Sequence, residues 1–226
     1  MARFLLIMGG PGAGKGTHSA KISAALEIPH VSTGAIFREH IEQETEIGRE
    51  IKQLLQEGQL APDDVTCRVL EQRIDKDDCR NGCLLDGFPR SVNQARALET
   101  ILERLGSGVD LVINLEVSDD EVVERLTNRR NCPVCGAIYN LRFNPPGEFG
   151  TCDNPACEGA RLIQRDDDRE DVIRERISVY HSETEPLLRY YRERGLLKDV
   201  RGEGRTPDAI FEKIESLLGA ADEVGA

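Results

Sequence analysis

The densest group of chemically useful residues lies near the start of the chain. Residues 9–17 read Gly-Gly-Pro-Gly-Ala-Gly-Lys-Gly-Thr, between the apolar run of residues 4–8 and a helical pattern. Glycines allow backbone N–H groups to turn inward around phosphate oxygens, and the start of a helix adds its positive dipole end. The segment therefore predicts a phosphate-binding loop, called the phosphate loop below. Its expected binding residues are Gly12, Ala13, Gly14, Lys15, Gly16 and Thr17.

The order of residues around the lysine narrows this prediction. Lys15 is expected to reach the β and γ phosphates of a nucleotide, and Thr17 to bring a hydroxyl near phosphate or metal. Gly16 occupies the position after the lysine where Ser or Thr is usual, so the hydroxyl is supplied by the next residue, Thr17. The alternative is a glycine-rich turn with a solvated lysine. The position between strand and helix favours the phosphate loop.

A cluster of cysteines marks a second chemical region, between residues 132 and 157. Two cysteines separated by two residues and followed by glycine resemble a zinc knuckle, and two more follow sixteen residues later. Four thiolates give a closed tetrahedral site, which indicates a structural metal and not a catalytic one. The expected zinc ligands are Cys132, Cys135, Cys152 and Cys157.

The spacing of the second cysteine pair leaves one ligand open. Cys152 and Cys157 are separated by four residues, so Asp153 is an alternative fourth ligand, although it is adjacent to Cys152. A different possibility is a module with free thiols that is held together by apolar side chains. The residues that would supply those contacts are Ile138, Tyr139 and Phe143.

The patterns around these two regions predict an α/β fold. Short apolar runs indicate strands at residues 4–8, 28–31, 83–85, 111–117 and 196–200. Helical patterns cover residues 15–26, 35–58, 65–75, 94–105, 119–129, 170–195 and 208–218, and residues 219–226 are expected to fray. Alternating strands and helices favour a central parallel sheet with helices on both faces.

Composition limits the partners of the chain. The 226 residues carry a formal charge of -12, and 39% of them are hydrophobic. This balance disfavours binding to nucleic acid or anionic membranes, and no apolar run reaches the length of a membrane span. The apolar N-terminal stretch is interpreted as a buried strand and not a signal peptide. We therefore expect a cytoplasmic protein that handles small molecules.

Several charged blocks follow the phosphate loop in a fixed order. They are Ser32-Thr33-Gly34 with Arg38, Asp86-Gly87-Phe88-Pro89-Arg90 with Gln94, Arg125 with Arg129-Arg130, Arg165-Asp166-Asp167, Arg174-Glu175-Arg176 and Arg205-Thr206-Pro207. Together with the loop form Gly-x-Pro-Gly-x-Gly-Lys-Gly-Thr, this order resembles the nucleoside monophosphate kinases, and the adenylate kinase family in particular. The resemblance covers residues 4–218.

The resemblance implies a fold and a reaction. The fold would be a P-loop NTPase-type parallel sheet flanked by helices, with two mobile inserted segments. The core would comprise residues 1–31, 62–127 and 169–226, with an AMP-binding segment at 32–61 and a lid at 128–168. The reaction would be reversible phosphoryl transfer from Mg-ATP to AMP, giving two ADP. A monomer with Mg²⁺ on ATP and structural Zn²⁺ in the lid is expected.

The resemblance also assigns residues to the two substrates. Because phosphoryl transfer depends on positioning and charge stabilisation, the planar, permanently charged arginines suit it. The catalytic set would be Lys15, Asp86, Arg90, Arg129, Arg165 and Arg176. Beyond the phosphate loop, ATP would contact Arg125, Arg129, Ile138, Tyr139 and Arg205. AMP would contact Thr33, Gly34, Arg38, Gln59, Leu60, Ala61, Gly87, Phe88, Pro89, Arg90, Gln94, Arg165 and Arg176.

Three other functions remain as alternatives. The first is a kinase for another nucleoside monophosphate, against which Thr33 and Gln94 argue. An amide both donates and accepts, which suits the N1 and N6 positions of adenine. The second is a P-loop ATPase, which Gly16 and the lack of a clear water-activating carboxylate disfavour. The third is a zinc-ribbon nucleic-acid binder, which the acidic charge disfavours.

Overall fold

A computed structural model describes residues 2–224 and contains a mixed α/β fold. The strands in this range are β1 (Arg3–Gly9), β2 (His30–Ser32), β3 (Gly82–Asp86), β4 (Val109–Glu116), β5 (Arg129–Asn131), β6 (Ile138–Asn140) and β7 (Leu197–Arg201). Five of them form one sheet in the order β2-β3-β1-β4-β7, and every pairing in it is parallel. The predicted fold class is confirmed.

The helices cover both faces of this sheet. Within the described residues they are α1 (Lys15–Leu26), α2 (Thr33–Glu42), α3 (Glu46–Gln56), α4 (Asp63–Ile74), α5 (Val92–Arg104), α6 (Asp119–Thr127), α7 (Glu170–Val179), α8 (Pro186–Arg192) and α9 (Pro207–Val224). None of them is long and apolar enough to cross a membrane.

The central strand β1 shows how the sheet is buried. Its Leu6 pairs with Leu85 of β3 on one side and with Val112 of β4 on the other. Leu6 faces one apolar cluster, while the preceding Leu5 faces a second cluster on the opposite side of the sheet. A parallel sheet covered on both faces needs such continuous apolar strands, which is why the short runs in the sequence predict it.

The helix predicted over residues 35–58 is in fact two helices. The chain turns after α2, Glu44 adopts a left-handed conformation with φ of 50°, and the Thr45 hydroxyl accepts a hydrogen bond from Gly48 N–H at the start of α3. A Cβ atom at Gly48 would lie 2.0 Å from the carbonyl oxygen of His40. This close approach lets the two helices pack, and the continuous apolar pattern conceals the break.

The long helix predicted over residues 170–195 is interrupted as well. Helix α7 passes into a π-helical turn at Tyr180–Thr184 before α8 begins at Pro186. The turn is closed by a hydrogen bond of 2.8 Å from Glu185 N–H to the Tyr180 carbonyl. Pro186 has no N–H group to offer a regular helix, so the preceding turn accommodates the extra residue.

A second, two-stranded sheet lies within residues 128–168, the segment called the module below. Strands β5 and β6 pair antiparallel, and single bridges join Asn131 to Ile163 and Thr151 to Arg161. Its buried cluster is small and consists of Cys132, Tyr139, Cys152, Cys157 and Leu162. The change of composition in this region therefore corresponds to a change of architecture.

The end of the chain differs from expectation. Helix α9 continues to Val224, although we expected it to end at residue 218 and the chain to fray beyond it. Two alanines follow Gly219, and alanine has the highest helix propensity. The last part of the predicted frayed segment, residues 225–226, lies outside the described residues.

Candidate active site

One open cleft, about 1480 Å³ in volume, joins the carboxyl ends of β1 and β3 to the module at residues 128–168. Open α/β sheets bind ligands at this edge because the loops that follow parallel strands gather there. Most residues proposed from the sequence line it. They are Gly12, Gly14, Lys15, Gly16, Thr17, Gly34, Arg38, Leu60, Asp86, Gly87, Pro89, Arg90, Arg125, Arg129, Ile138, Tyr139, Arg165, Arg176 and Arg205.

Six of the proposed residues do not line the cleft. They are Ala13, Thr33, Gln59, Ala61, Phe88 and Gln94. Five of these side chains are buried, and the half-buried Gln59 donates to Glu175 at 2.6 Å. In this structure the six residues lie behind or beside the residues that line the cleft, and they support those residues.

The phosphate loop connects β1 to α1, as the sequence predicts. Gly12 and Gly14 have φ values of 72° and 97°, in the region that side chains avoid. A Cβ atom at Gly12 would lie 2.8 Å from the Cγ of Leu126, so α6 packs directly against the loop. Gly14 is the residue before helix α1, whose free N–H groups therefore face the cleft.

Lys15 crosses the mouth of the phosphate loop. Its Nζ donates to the carbonyl oxygens of Gly9 and Gly10, both at 2.7 Å. Burial, opposed by the charge of Asp86 and reinforced by nearby arginines, lowers the pKa of Lys15 to about 8. A bound anion would relieve this cost, because it would stabilise the charged ammonium.

Five arginines, called the guanidinium cluster below, meet in the same cleft. They are Arg38, Arg90, Arg129, Arg165 and Arg176. Burial and the other guanidinium groups lower the pKa of Arg165 to about 9, and burial also lowers the pKa of Arg38, Arg90 and Arg176. Guanidinium groups keep their proton, so these shifts describe crowded positive charge that favours polyanionic ligands.

Two aspartates hold part of this cluster in place. Asp168, which has no exposed surface, receives two hydrogen bonds from Arg129, from Nε at 2.8 Å and from Nη2 at 2.6 Å. Nη1 of Arg176 lies 2.8 Å from the Asp167 carboxylate and also donates to the Asp167 carbonyl oxygen at 3.0 Å. The two-point contact of Arg129 fixes the direction of its guanidinium plane as well as its position, whereas Arg176 is held at one nitrogen.

Asp86 ends strand β3 and faces the phosphate loop. Burial alone would raise the pKa of this carboxyl, but a hydrogen bond from His30 and the charge of Lys15 hold it below its ordinary value. The His30 Nε2 lies 3.2 Å from Asp86 Oδ2. The carboxyl is therefore ionised at neutral pH and lies beside Lys15 in the cleft.

A compact turn after β3 positions Arg90. Gly87 has φ of 80°, and its carbonyl oxygen accepts from the Thr33 hydroxyl and from Arg90 Nε, each at 2.9 Å. A Cβ atom at Gly87 would lie 2.9 Å from the Thr33 hydroxyl oxygen. The carbonyl oxygen of Arg90 also accepts from Thr184 at 3.2 Å. Arg90 is thus fixed at its backbone and at its side chain.

Gln94 lies in the first turn of α5 and is 2% exposed. Its Oε1 accepts from Arg90 N–H at 2.7 Å, and its Nε2 donates to Asp63 at 2.6 Å. One lone pair and one N–H of the amide are therefore used within the protein. The sequence provided no sign of the partner Asp63, which lies 31 residues away at the start of α4.

Arg125 forms the wall on the other side of the phosphate loop. It donates to the carbonyl oxygens of Ala13 at 3.4 Å and Gly202 at 3.1 Å, and it pairs with Glu121 on the same helix. This wall is continued by Arg205, which precedes α9, and by Ile138 and other residues of the module. The wall combines a flat cation with apolar side chains, which suits a planar base.

The four clustered cysteines come together in the module. Their sulfur atoms all lie within 4.8 Å of one another, and those of Cys135 and Cys152 are 3.7 Å apart. Ligands at about 2.3 Å from a tetrahedral zinc would be separated by about 3.8 Å, so this arrangement fits the metal. Asp153 instead accepts from Gly147 N–H at 2.8 Å, whereas Cys157 belongs to the cluster.

The alternative of an apolar module receives partial support. Tyr139 is buried and its hydroxyl lies 3.4 Å from Cys152 Sγ. Ile138 and Phe143, in contrast, are 44% and 56% exposed. Two of the three apolar side chains that would hold a module of free thiols are therefore not buried.

Comparison with known proteins decides the family. The model of the adenylate kinase family matches residues 7–196. Adenylate kinase of Oceanobacillus iheyensis is 46% identical over 95% of this chain and 98% of its own length. The enzymes of Bacillus subtilis and Moorella thermoacetica are 47% and 48% identical, each over 95% of this chain and 97% of the relative. The chain belongs to the adenylate kinase family.

Several residues at the site of this adenylate kinase family member were not identified from the sequence. His18 lies at the start of α1 behind Gly14, and burial lowers its pKa to about 4, so it is neutral. Tyr180 and Thr184 reach the cleft only because of the π-helical turn. Asp168 lies in a run of three aspartates, a pattern that usually indicates a solvated surface.

Proposed function

We propose which residues of this adenylate kinase family member bind each substrate and which stabilise the transferred phosphoryl group. The reaction that it catalyses is ATP + AMP ⇌ 2 ADP. The observation that carries the assignment is that one cleft combines a phosphate loop with the guanidinium cluster. Two polyanionic substrates need such a site, because their mutual repulsion must be offset before one phosphate oxygen can attack the other phosphorus atom.

ATP binds with its phosphates on the phosphate loop. The backbone N–H groups around Gly12 and Gly14 and the start of α1 receive the β-phosphate, and Lys15 leaves the loop carbonyls to bridge the β and γ phosphates. The adenine of ATP lies along the wall formed by Arg125, Ile138 and Arg205. Support for this arrangement comes from two observations: all these residues line the cleft, and Arg125 donates to the Ala13 carbonyl of the phosphate loop.

AMP binds at the opposite end of the cleft. Arg38 and Arg90 hold its phosphate, and the segment around Gln59, Leu60 and Ala61 packs against the nucleoside. The fixed backbone and side chain of Arg90 support this role, because a preorganised guanidinium loses little entropy on binding. Thr33 acts through Gly87, whose carbonyl it shares with Arg90.

Transfer itself requires no nucleophilic side chain. An oxygen of the AMP phosphate attacks the γ-phosphorus, the bond to the β,γ-bridging oxygen breaks, and the negative charge passes to ADP. Arg129, Arg165 and Arg176 surround the transferred group and offset the charge that spreads over its oxygens. The two aspartates that orient Arg129 and Arg176 support this role, since aligned forks need no reorganisation during transfer.

Magnesium fits the acidic part of the cleft. The ionised carboxyl of Asp86 and the hydroxyl of Thr17 are the residues that would face an ion held mainly by substrate phosphates. When bound, Mg²⁺ neutralises charge on the β and γ phosphates. Asp86 is proposed to orient water on the ion, and His30 holds the carboxyl in that direction.

Zinc is proposed as the structural ion of the module at residues 128–168, which we call the lid. The four sulfur atoms already lie at distances that suit a tetrahedral ion, and the buried apolar cluster around them is small. A metal cross-link would let the lid move without unfolding. Cys157 is the proposed fourth ligand, because Asp153 is engaged elsewhere.

The lid and the segment at residues 32–61 are proposed to move against the core. They would open for substrates and close to exclude water, which otherwise competes as the acceptor. We propose that lid opening limits turnover. Single-turnover measurement of the chemical step tests this, since a chemical rate no faster than steady-state turnover would contradict it.

A monomer in the cytoplasm is the proposed working form. The cleft of a single copy already holds both proposed nucleotide regions, so the reaction needs no residue from a second copy. All seven cysteines are free thiols, which is typical of a reducing compartment. Light scattering at working concentration and fractionation of the source cells test the two statements separately.

The central experiment compares phosphate acceptors. ADP formation from Mg-ATP is measured with AMP, UMP, CMP, GMP and no acceptor in parallel. We expect strong turnover with AMP alone. Preference for another monophosphate would keep the roles of the loop and the arginines but replace the proposed acceptor pocket. ATP loss without an acceptor would indicate an ATPase and remove the phosphoryl-transfer assignment.

A further inference from the structure

A half-buried carboxylate connects two parts of the acceptor side that are distant in the sequence. Asp63 is the first residue of α4, and its two oxygens receive hydrogen bonds from two residues of the α5 start. Oδ1 accepts from Gln94 Nε2 at 2.6 Å, and Oδ2 accepts from the Ser91 hydroxyl at 2.8 Å. Ser91 also caps α5 by accepting from Gln94 N–H at 3.1 Å.

The chemistry of these contacts fixes the direction of the Gln94 amide. An ionised carboxylate only accepts hydrogen bonds, so Asp63 must face the NH₂ end of the amide. The backbone N–H of Arg90 only donates, so it must face the oxygen, 2.7 Å away. Turning the amide over would place donor against donor at Arg90 and oxygen against carboxylate at Asp63, and both pairs repel.

What remains unpaired on the amide is one N–H and one lone pair. Adenine offers an acceptor at N1 and a donor at N6, whereas hypoxanthine and guanine offer a donor at N1 and an acceptor at O6. An amide held in one direction matches the first pattern and opposes the second. A site with fixed polar groups discriminates strongly between such bases, because the wrong base leaves buried groups unpaired.

We propose that Asp63 is a specificity-determining positioning residue, which selects adenine in the acceptor by holding the Gln94 amide in one direction. This rests on the proposed function and on the contact between Gln94 and the base of AMP that the family resemblance implies. Asp63 need not touch the nucleotide. Its carboxylate sets the direction of the amide, and the Ser91 hydroxyl holds the carboxylate in turn.

The test compares AMP with IMP as acceptors, because these nucleotides differ only at the edge that Gln94 would contact. In Asp63→Asn the side chain keeps its shape but can donate as well as accept, so of the two contacts that oppose the turned amide only the Arg90 N–H remains. We expect the ratio of kcat/KM for AMP to that for IMP to fall about tenfold or more. The change should come from KM for AMP, with kcat nearly constant, because the base is remote from the transferred group.

Asp64→Asn is the matched control. Asp64 is the next residue of the same first helical turn and is exposed, so the variant removes the same charge from the same helix end. We expect its AMP-to-IMP ratio to stay within about twofold of the wild type, because only a general electrostatic effect is changed. An equal fall in both variants would overturn the role of the Asp63 contacts.

Other outcomes separate the inference from the function beneath it. An Asp63→Asn protein that acts on AMP with an unchanged ratio would overturn the inference and leave the proposed function intact. A wild-type protein that does not prefer AMP would overturn the proposed acceptor pocket and the inference with it. Should Asp63→Asn fail to fold, Ser91→Ala provides the test. We expect this variant to lower the ratio of kcat/KM for AMP to that for IMP by about threefold, and an unchanged ratio would contradict the proposal.

Discussion

The core and the lid of this protein solve the problem of stability in different ways. The central sheet buries large apolar clusters on both of its faces, so its strands need no other support. The apolar cluster of the lid contains only five buried side chains, three of which are cysteines and one a tyrosine. A short module with so little apolar material needs a cross-link, and four converging sulfur atoms provide the ligands for one.

The same two regions contribute differently to the chemistry. The groups proposed from the core are fixed by the sheet, with Asp86 at the end of β3 and Lys15 at the start of α1, after the loop that follows β1. The lid contributes arginines that arrive from both of its ends, Arg129 at the start and Arg165 near the finish. The comparison teaches that rigid placement comes from burial in the core, whereas at the junction with the lid it comes from the ion pair of Arg129 with the buried Asp168.

The largest expected effect lies in the core. Replacing Lys15 with methionine removes the cation that is proposed to bridge the donor phosphates, so kcat should fall about a thousandfold or more. Lys15 belongs to none of the apolar clusters of the described residues, so the melting temperature should change by less than about 3 °C. A coupled spectrophotometric assay and circular dichroism measure the two quantities. Retained turnover would show that the chemistry does not depend on the loop.

A pair of matched truncations compares how the two regions are stabilised. Leu102 is fully buried in a core cluster, and Leu162 belongs to the small cluster of the lid. We expect Leu102→Ala to lower the free energy of unfolding by about 3 kcal/mol and Leu162→Ala by about 1 kcal/mol. Urea denaturation of the zinc-loaded protein gives both values. Equal losses would mean that burial, and not a metal, holds the lid.

The metal itself is tested by a cysteine pair. Cys152→Ser should lower bound zinc below one ion per chain and the melting temperature by about 5–10 °C, while turnover at 25 °C stays within about threefold. Cys67→Ser is the control, because this half-buried cysteine lies outside the cluster. Atomic absorption and calorimetry measure the outcome. A chelated, folded protein with an unchanged melting temperature would contradict the structural role.

The smallest expected effect is the uptake of a fraction of a proton when Mg-ATP binds. Burial lowers the pKa of Lys15 to about 8, so about half of this group is neutral at pH 8 in the free protein. Bound phosphates stabilise the ammonium and raise its pKa, so Mg-ATP binding at pH 8 should take up about half a proton and weaken as pH rises further.

Titration calorimetry in buffers of different ionisation enthalpy measures that uptake without AMP present. Lys15→Met is the control and should abolish it. Uptake at pH 6.5 should be close to zero, because Lys15 is already charged there. The same uptake in the methionine variant would assign the proton to another group.

Much of this architecture follows from local patterns in the sequence. The phosphate loop, the alternating strands and helices and the clustered cysteines are all recognisable from spacing over fewer than thirty residues. Breaks inside continuous patterns are harder to recognise. Neither the turn between α2 and α3 nor the π-helical turn at Tyr180–Thr184 interrupts the apolar period. The sequence therefore predicted one continuous helix across each of these two segments.

The sequence by itself predicted the phosphate loop and most of the side chains that line the cleft, because a loop of glycines with a lysine has few other uses. It also determined the family, because the charged blocks occur in a fixed order. Only the tertiary structure decided how those groups are held. Asp168 accepts a hydrogen bond from Arg129, 39 residues away in the sequence, and Asp63 accepts one from Gln94, 31 residues away. Hydrogen bonds act over about 3 Å in space, and nothing in a linear spacing encodes which distant residues the fold brings together.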